Sequence, residues 1–177
     1  MLTVANAGVP MIVLHGAVFV FAFVPIVLIE LAVLMLITRA SFGRLLVTSC
    51  VANACSTIVG IPVTWLVLML LQMMVGGGSA HGLETTGDRI YAVTIQAPWL
   101  IPYEEELGWI IPTAALVMLV PFFIMSWLSE WYVALRMLQQ ADSKRIARGV
   151  LLGNIATYLM IAGYWCATLA ISQSSPT

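Results

Sequence analysis

The sequence predicts an all-α fold, an integral membrane bundle of four transmembrane helices arranged as two hairpins. Of its 177 residues, 62% are hydrophobic and 8% are charged, whereas charged residues make up about 25% of a soluble domain. Four apolar stretches each exceed the roughly 20 residues that a helix needs to cross the hydrocarbon core. We therefore expect one membrane domain over residues 1–177 and no separate soluble domain.

The four transmembrane helices are predicted at about residues 11–38, 45–75, 109–135 and 149–171, with an outer loop at about 76–108. The first stretch is preceded by no Lys or Arg and is longer than the core of a signal peptide, so we expect it to remain as a helix. The second stretch is longer than a straight crossing requires. It should therefore tilt, bend at Pro62 or project past the membrane.

The basic residues predict the direction of the bundle. Those of the two short connections are Arg39, Arg44, Arg136, Lys144, Arg145 and Arg148. The long second connection holds Arg89 alone. Because Lys and Arg stay on the cytoplasmic side, we expect both short connections inside and both termini and the long loop outside. This pattern is typical of a bacterial inner (cytoplasmic) membrane protein.

Two glutamates lie inside apolar stretches, and each has an asparagine at a matching position. Glu30 and Asn53 are both nine residues from the nearest arginine of the first turn, and Glu130 and Asn154 are both six residues from an arginine of the third connection. Each Glu and its Asn should therefore meet at one depth in a helical hairpin. An ionisable group inside a bilayer is costly, so it needs a partner or a function.

Further polar residues follow helical spacing around these positions. The predicted polar network, which serves either packing or an ion or proton site, comprises Glu30, Asn53, Ser56, Thr57, Ser126, Ser129, Glu130, Asn154 and Thr157. Asn53, Ser56, Thr57 and Gly60 fall at i, i+3, i+4 and i+7, one face of a helix. Gly149 and Gly153 form a GxxxG pattern that lets two membrane helices approach closely. We predict that these faces meet inside the bundle.

The two halves of the chain show a weak internal duplication. Pro25 precedes Glu30 in the first helix, and Pro121 precedes Glu130 in the third. The second and fourth helices each carry Asn followed three residues later by Ser or Thr. The proline-to-glutamate spacings differ, five residues against nine. Parallel repeats of this kind occur in transport folds, where sites form between the halves.

Several function classes find no support in the residues. His15 and His81 are the only histidines and do not form a haem or zinc ligand pattern. Cys50, Cys55 and Cys166 show no CxxC spacing. No GxSxG, P-loop or dinucleotide motif is present, and a net charge of −1 does not favour nucleic acid. We therefore expect no cofactor and no metal, and nothing argues for an enzyme.

Two functions follow as hypotheses. The first is a non-catalytic accessory or scaffold subunit of a membrane complex, in which the Glu, Asn and Ser side chains fix the bundle through interhelical hydrogen bonds. The alternative is a small oligomeric transporter, or a proton- or cation-coupled channel, that uses Glu30 and Glu130. Both hypotheses place the chain in a lipid bilayer, with a membrane-protein partner or as a homo-oligomer.

Overall fold

A computed structural model describes residues 11–76, 82–97 and 106–174, and within these ranges the chain forms helices and no strand. The helices are α1 (Met11–Thr38), α2 (Phe42–Cys55), α3 (Ile61–Gly76), α4 (Thr86–Thr94), α5 (Leu107–Met137) and α6 (Ser143–Ser174). A π-helical segment, Ser56–Gly60, joins α2 directly to α3. The predicted all-α class is confirmed.

Four helical segments of the described chain are long and apolar enough to cross a membrane. They are Phe21–Thr38, Phe42–Val75, Leu107–Met137 and Ser143–Ser174. The first helix ends at Thr38, as predicted, while the others extend beyond the predicted apolar stretches. The largest difference is at α6, which begins at Ser143 because polar and basic residues continue the helix past the end of the apolar stretch.

The second membrane segment is interrupted rather than simply bent at Pro62. Its π-helical part ends at Gly60, and α3 begins at Ile61, one residue before the proline. Proline has no N–H to donate within a helix, and a π-turn is one way to accommodate such a break. The segment widens the helix beside the buried polar residues described below.

Helix α6 packs against both α1 and α5, and α2 packs against α5. The approach of α6 to α1 depends on two glycines. A Cβ added at Gly149 would lie 2.8 Å from Leu34 Cδ2, and one at Gly153 would lie 3.1 Å from Glu30 Cγ. Larger residues would push the helices apart, so the GxxxG pattern sets the distance at which α6 reaches Glu30.

Two apolar clusters lie on either side of the polar centre. At the end with the short turns, buried residues of α1, α2, α5 and α6 form one cluster around Leu45 and Ile146. At the other end, α4 packs on α5 through Ala92 and Ile110. Helix α4 lies within the predicted outer loop, so that loop contains a helix that the sequence analysis did not predict.

Candidate functional site

Glu30 lies on α1 at the centre of the bundle, with 5% of its surface exposed. Asn53 of α2 donates from Nδ2 to Glu30 Oε2 at 2.5 Å. Thr157 of α6 donates from Oγ1 to Glu30 Oε1 at 3.4 Å, and it also contacts two carbonyl oxygens of its own helix. Glu30 therefore has one short hydrogen bond and one long, shared one.

Glu130 lies on α5, with 2% of its surface exposed. Its Oε1 accepts from Ser126 Oγ at 2.6 Å and from Ser56 Oγ at 2.8 Å. Its Oε2 accepts from Asn154 Nδ2 at 2.6 Å. Ser126 lies on the same helix as Glu130, Asn154 lies on α6 of the same hairpin, and Ser56 belongs to the first hairpin. Glu130 therefore has three short hydrogen bonds, and the one from Ser56 joins the two hairpins.

Both asparagines are held as donors to the carboxyl groups. The Nδ2 atom of Asn53 also donates to Ser49 O at 3.0 Å, and that of Asn154 donates to Val150 O at 3.1 Å. Each amide group thus divides its two N–H bonds between a backbone carbonyl four residues earlier and a glutamate. Rotating either amide would place its oxygen against both acceptors, so the orientation is fixed by the helix itself.

The carboxyl groups of Glu30 and Glu130 lie next to each other. Apart from each other, their hydrogen-bond partners in the described part of the chain are amides and hydroxyls, all of them neutral. Two unit charges 4 Å apart interact by about 4 kcal/mol at an effective dielectric constant near 20. Two ionised carboxylates would repel strongly here, so at least one of the two must carry a proton unless a cation is bound.

A small cavity borders Glu30. Its volume is about 40 Å³, and its polar lining includes Glu30, Ser56, Thr57, Ser126 and Tyr158. One water needs roughly 10–15 Å³ of such space, so the cavity has room for a few waters and not for an organic solute. Gly60, at the end of the π-helical segment, also lines it. The interrupted helix therefore forms one wall of a space beside Glu30.

The other predicted network residues differ in where they lie. Thr57 and Gly60 line the cavity wall. Ser129 donates to Met125 O at 2.7 Å and contacts Ser126 O at 3.0 Å, both on its own helix. Ser129 is next to Glu130 in sequence but lies about 100° away around the helix, and its hydroxyl is satisfied by backbone carbonyls, so it does not bond the carboxyl.

Two residues of this region were missed by sequence reasoning. Tyr158 lines the cavity, and its hydroxyl is hydrogen-bonded to Ser126. Ser49 is buried on α2 and donates to Val27 O on α1 at 3.2 Å. Each stands four residues from a network asparagine, a spacing that puts it on the same helix face. That spacing was the signal that could have found both.

The described residues contain no group of three or more His, Cys, Asp or Glu that could hold a metal ion. A search of protein-family models, curated proteins and solved structures finds no match to this chain. The fold and the site define a class, a helical membrane bundle with a buried carboxyl pair. Any function must therefore be argued from the geometry of that pair.

Proposed function

We propose that this protein moves protons across a membrane through the Glu30–Glu130 pair. The supporting observation is the contact between two buried carboxyl groups whose donors are all neutral. Such a pair is stable when one proton is shared between its members, as in other sites where two carboxyls meet. Adding or removing that proton changes the charge of the pair by one unit, which is the elementary step of proton transfer.

The hydrogen bonds assign different roles to the two carboxyls. Glu130 accepts three short bonds, which favour its charged form, while Glu30 accepts one short and one long bond. Hydrogen bonds to a carboxylate stabilise its charge. In this proposal Glu130 holds the negative charge and Glu30 carries the proton. Glu30 also borders the cavity, where water would deliver and remove that proton.

A proton suits the site better than a metal cation. The carboxyl oxygens already receive N–H and O–H groups from Asn53, Ser56, Ser126 and Asn154. These positively polarised hydrogens would oppose a cation that coordinated the same oxygens. The cavity of about 40 Å³ also limits the transported species to a proton or a small ion. A π-helical segment at its wall fits this proposal, because π-turns are frequent at functional sites.

We also propose that the protein lies in a bacterial inner membrane. By the positive-inside rule, the short turns would be on the cytoplasmic side of that membrane. Glu30 lies eight residues before the end of α1 at Thr38, about 12 Å along the axis at 1.5 Å per residue. Protons would then reach the pair by a shorter path from the cytoplasm than from outside. With four spans in the described part of the chain, the protein would act as a homo-oligomer or with a membrane partner.

The test is proton flux in vesicles. Purified protein is reconstituted in phospholipid vesicles that contain a pH-sensitive dye, and a potassium diffusion potential drives proton entry. Glu30→Gln should lower the flux by at least about a hundredfold, the usual contribution of a positioned acid–base group. The Gln side chain can still accept from Asn53 and donate towards Glu130, so the fold should survive.

The matched control for this test is Ser129→Ala. Ser129 lies beside Glu130 in sequence and bonds its own helix backbone, so its loss should leave the flux near the wild-type value. If wild-type vesicles conduct no better than empty ones, or if Glu30→Gln conducts like wild type, proton transfer by this pair must be abandoned.

A second candidate is a non-catalytic accessory or scaffold subunit. It is favoured by the hydrogen bonds that cross between the hairpins, from Ser56 to Glu130 and from Thr157 to Glu30, because these would clamp the bundle together. Purification from the native membrane in mild detergent, followed by mass spectrometry with stoichiometry, tests it. A stoichiometric partner that is retained by Glu30→Gln, together with absent flux, would favour this role.

A further inference from the structure

A second cavity lies at the end of the bundle that carries the two short turns. Its volume is about 300 Å³, and its polar lining consists of Thr38, Arg39, Ser41, Arg44 and Gln140. It is separate from the carboxyl pair and shares no lining residue with the smaller cavity. Its size is at the lower limit of sites that bind small molecules, about 300–1,000 Å³.

Two solvent-exposed arginines give the lining of the cavity its charge. Arg39 and Arg44 both line it, and among the described lining residues none is acidic. Arg44 Nη1 donates to Gln140 Oε1 at 2.8 Å, which spans from the first hairpin to the second. A guanidinium has five N–H donors in a fixed fork, so this bond orients Arg44 while leaving donors for a ligand.

The backbone at Arg39 supports a role for its side chain. Arg39 has φ 57°, the only positive φ among the described non-glycine residues. It follows directly after the last residue of α1, where glycine is the usual choice for this left-handed conformation. Strain of this kind clusters at ligand clamps and switch regions. Arg39 therefore combines a strained backbone with a side chain that lines the cavity.

We propose that this cavity binds an anionic phosphate group, supplied by a lipid headgroup or by free phosphate. Guanidinium groups form paired, charge-assisted hydrogen bonds with phosphate oxygens. Basic pockets at the ends of membrane helices bind anionic lipid headgroups in the same way. The Arg44–Gln140 bond joins the two turns, so a bound phosphate would tie the hairpins together. This inference does not depend on proton transfer by the carboxyl pair.

The experiment measures binding of three probes to the purified full chain in detergent. They are dioctanoyl phosphatidylglycerol, inorganic phosphate and a dioctanoyl diacylglycerol that lacks phosphate. Arg39→Gly and Arg44→Gln should each weaken phosphate-group binding by about tenfold or more, the loss expected for a hydrogen bond to a charged group. Arg39→Gly also relieves the strained φ, so its melting temperature should not fall.

The matched control is Arg145→Gln, because Arg145 is exposed near the other turn and does not line the cavity. It should bind as wild type does. Binding of phosphatidylglycerol alone identifies a lipid site, binding of inorganic phosphate alone identifies a free anion, and binding of both identifies the phosphate group itself. The proposal is overturned if neither probe binds, if diacylglycerol binds equally well, if the cavity variants bind like wild type, or if Arg145→Gln loses as much.

Discussion

The two hairpins use the same side chains to build different environments. In each, an asparagine donates to a glutamate on the preceding long helix and to a carbonyl four residues earlier on its own helix. The second hairpin returns through α6, one continuous helix of 32 residues. The first returns through α2, which passes into the π-helical segment Ser56–Gly60. The hairpins are alike at the Glu–Asn contact and unlike beyond it.

That difference separates a fixed carboxyl, Glu130, from one that borders a cavity, Glu30. Glu130 receives three short bonds, one from its own helix and one each from Ser56 and Asn154 on the helical segments to either side. Glu30 receives one short bond and borders the cavity whose wall includes Ser56 and Gly60. An interruption in one helix thus leaves space beside one carboxyl and gives the other a donor, since Ser56 points at Glu130.

The largest expected effect is a loss of protein stability when the side chain of Glu130 is removed. Glu130→Ala removes two interhelical hydrogen bonds, from Ser56 and Asn154, and one within α5, from Ser126. At about 0.6 kcal/mol for each interhelical bond in a membrane and about 0.2–0.5 kcal/mol for an (i, i+4) pair, it should lower the free energy of unfolding by about 1.5 kcal/mol. Glu30→Ala removes one short and one long bond and should cost about 1 kcal/mol on the same scale. Unfolding by denaturing detergent in mixed micelles measures both. Equal losses would contradict the distinction between the two carboxyls.

The next prediction concerns the π-helical segment Ser56–Gly60, which deletion of one residue should convert to a regular α-helix. A π-turn contains one residue more than an α-helix needs, so deletion of Ile58 should restore a regular helix without rotating α3. Ile58 is 72% exposed, and its loss removes little packing. The cavity beside Glu30 should shrink, and proton flux in vesicles should fall by about tenfold, equivalent to about 1.4 kcal/mol.

Deletion of Leu152 is the control for the Ile58 experiment. Leu152 is also exposed, at 49%, but it lies in a continuous α-helix. Its removal rotates the rest of α6 by about 100° and should destroy folding. If deletion of Ile58 leaves the fold intact and the proton flux unchanged, the π-helical segment plays no part in the proposed proton transfer.

A smaller loss of stability is expected from a substitution at Gly153, where α6 contacts α1. Gly153→Ala places a Cβ 3.1 Å from Glu30 Cγ and 3.4 Å from Glu30 Cα, so α1 must move away. Overpacking costs about 1–3 kcal/mol, and the better helix propensity of alanine returns up to about 1 kcal/mol. The net loss of unfolding free energy should be about 1 kcal/mol. Gly163→Ala, where the added Cβ meets nothing within 4 Å, should instead raise stability.

Hydropathy and spacing could predict the helices and the Glu–Asn contacts, because both depend on positions along one hairpin. They could not predict that Glu30 and Glu130 meet, because distance from a turn fixes depth in the membrane but not the rotation of one hairpin against the other. The π-helical segment was also hidden, since five residues have nearly the same polar pattern in either helix type. Helix α4 was missed, although its capping box from Thr85 to Asp88 was visible in the sequence.

The smallest predicted loss of stability is that of Ser126→Ala, and a comparison with Ser129→Ala tests which of the two serines belongs to the site. Ser126 donates to Glu130 and bonds Tyr158, whereas Ser129 bonds only carbonyls of its own helix among the contacts described. Ser126→Ala removes the bond to Tyr158 of α6 and should lower the free energy of unfolding by about 0.6 kcal/mol, the average for an interhelical bond in a membrane. Ser129→Ala should change it by less, because a serine bonded to its own helix contributes little to helix association. If the two variants lose equally, the hydroxyl of Ser126 does no more than that of its neighbour, and the charge on Glu130 must be stabilised by Ser56 and Asn154 alone.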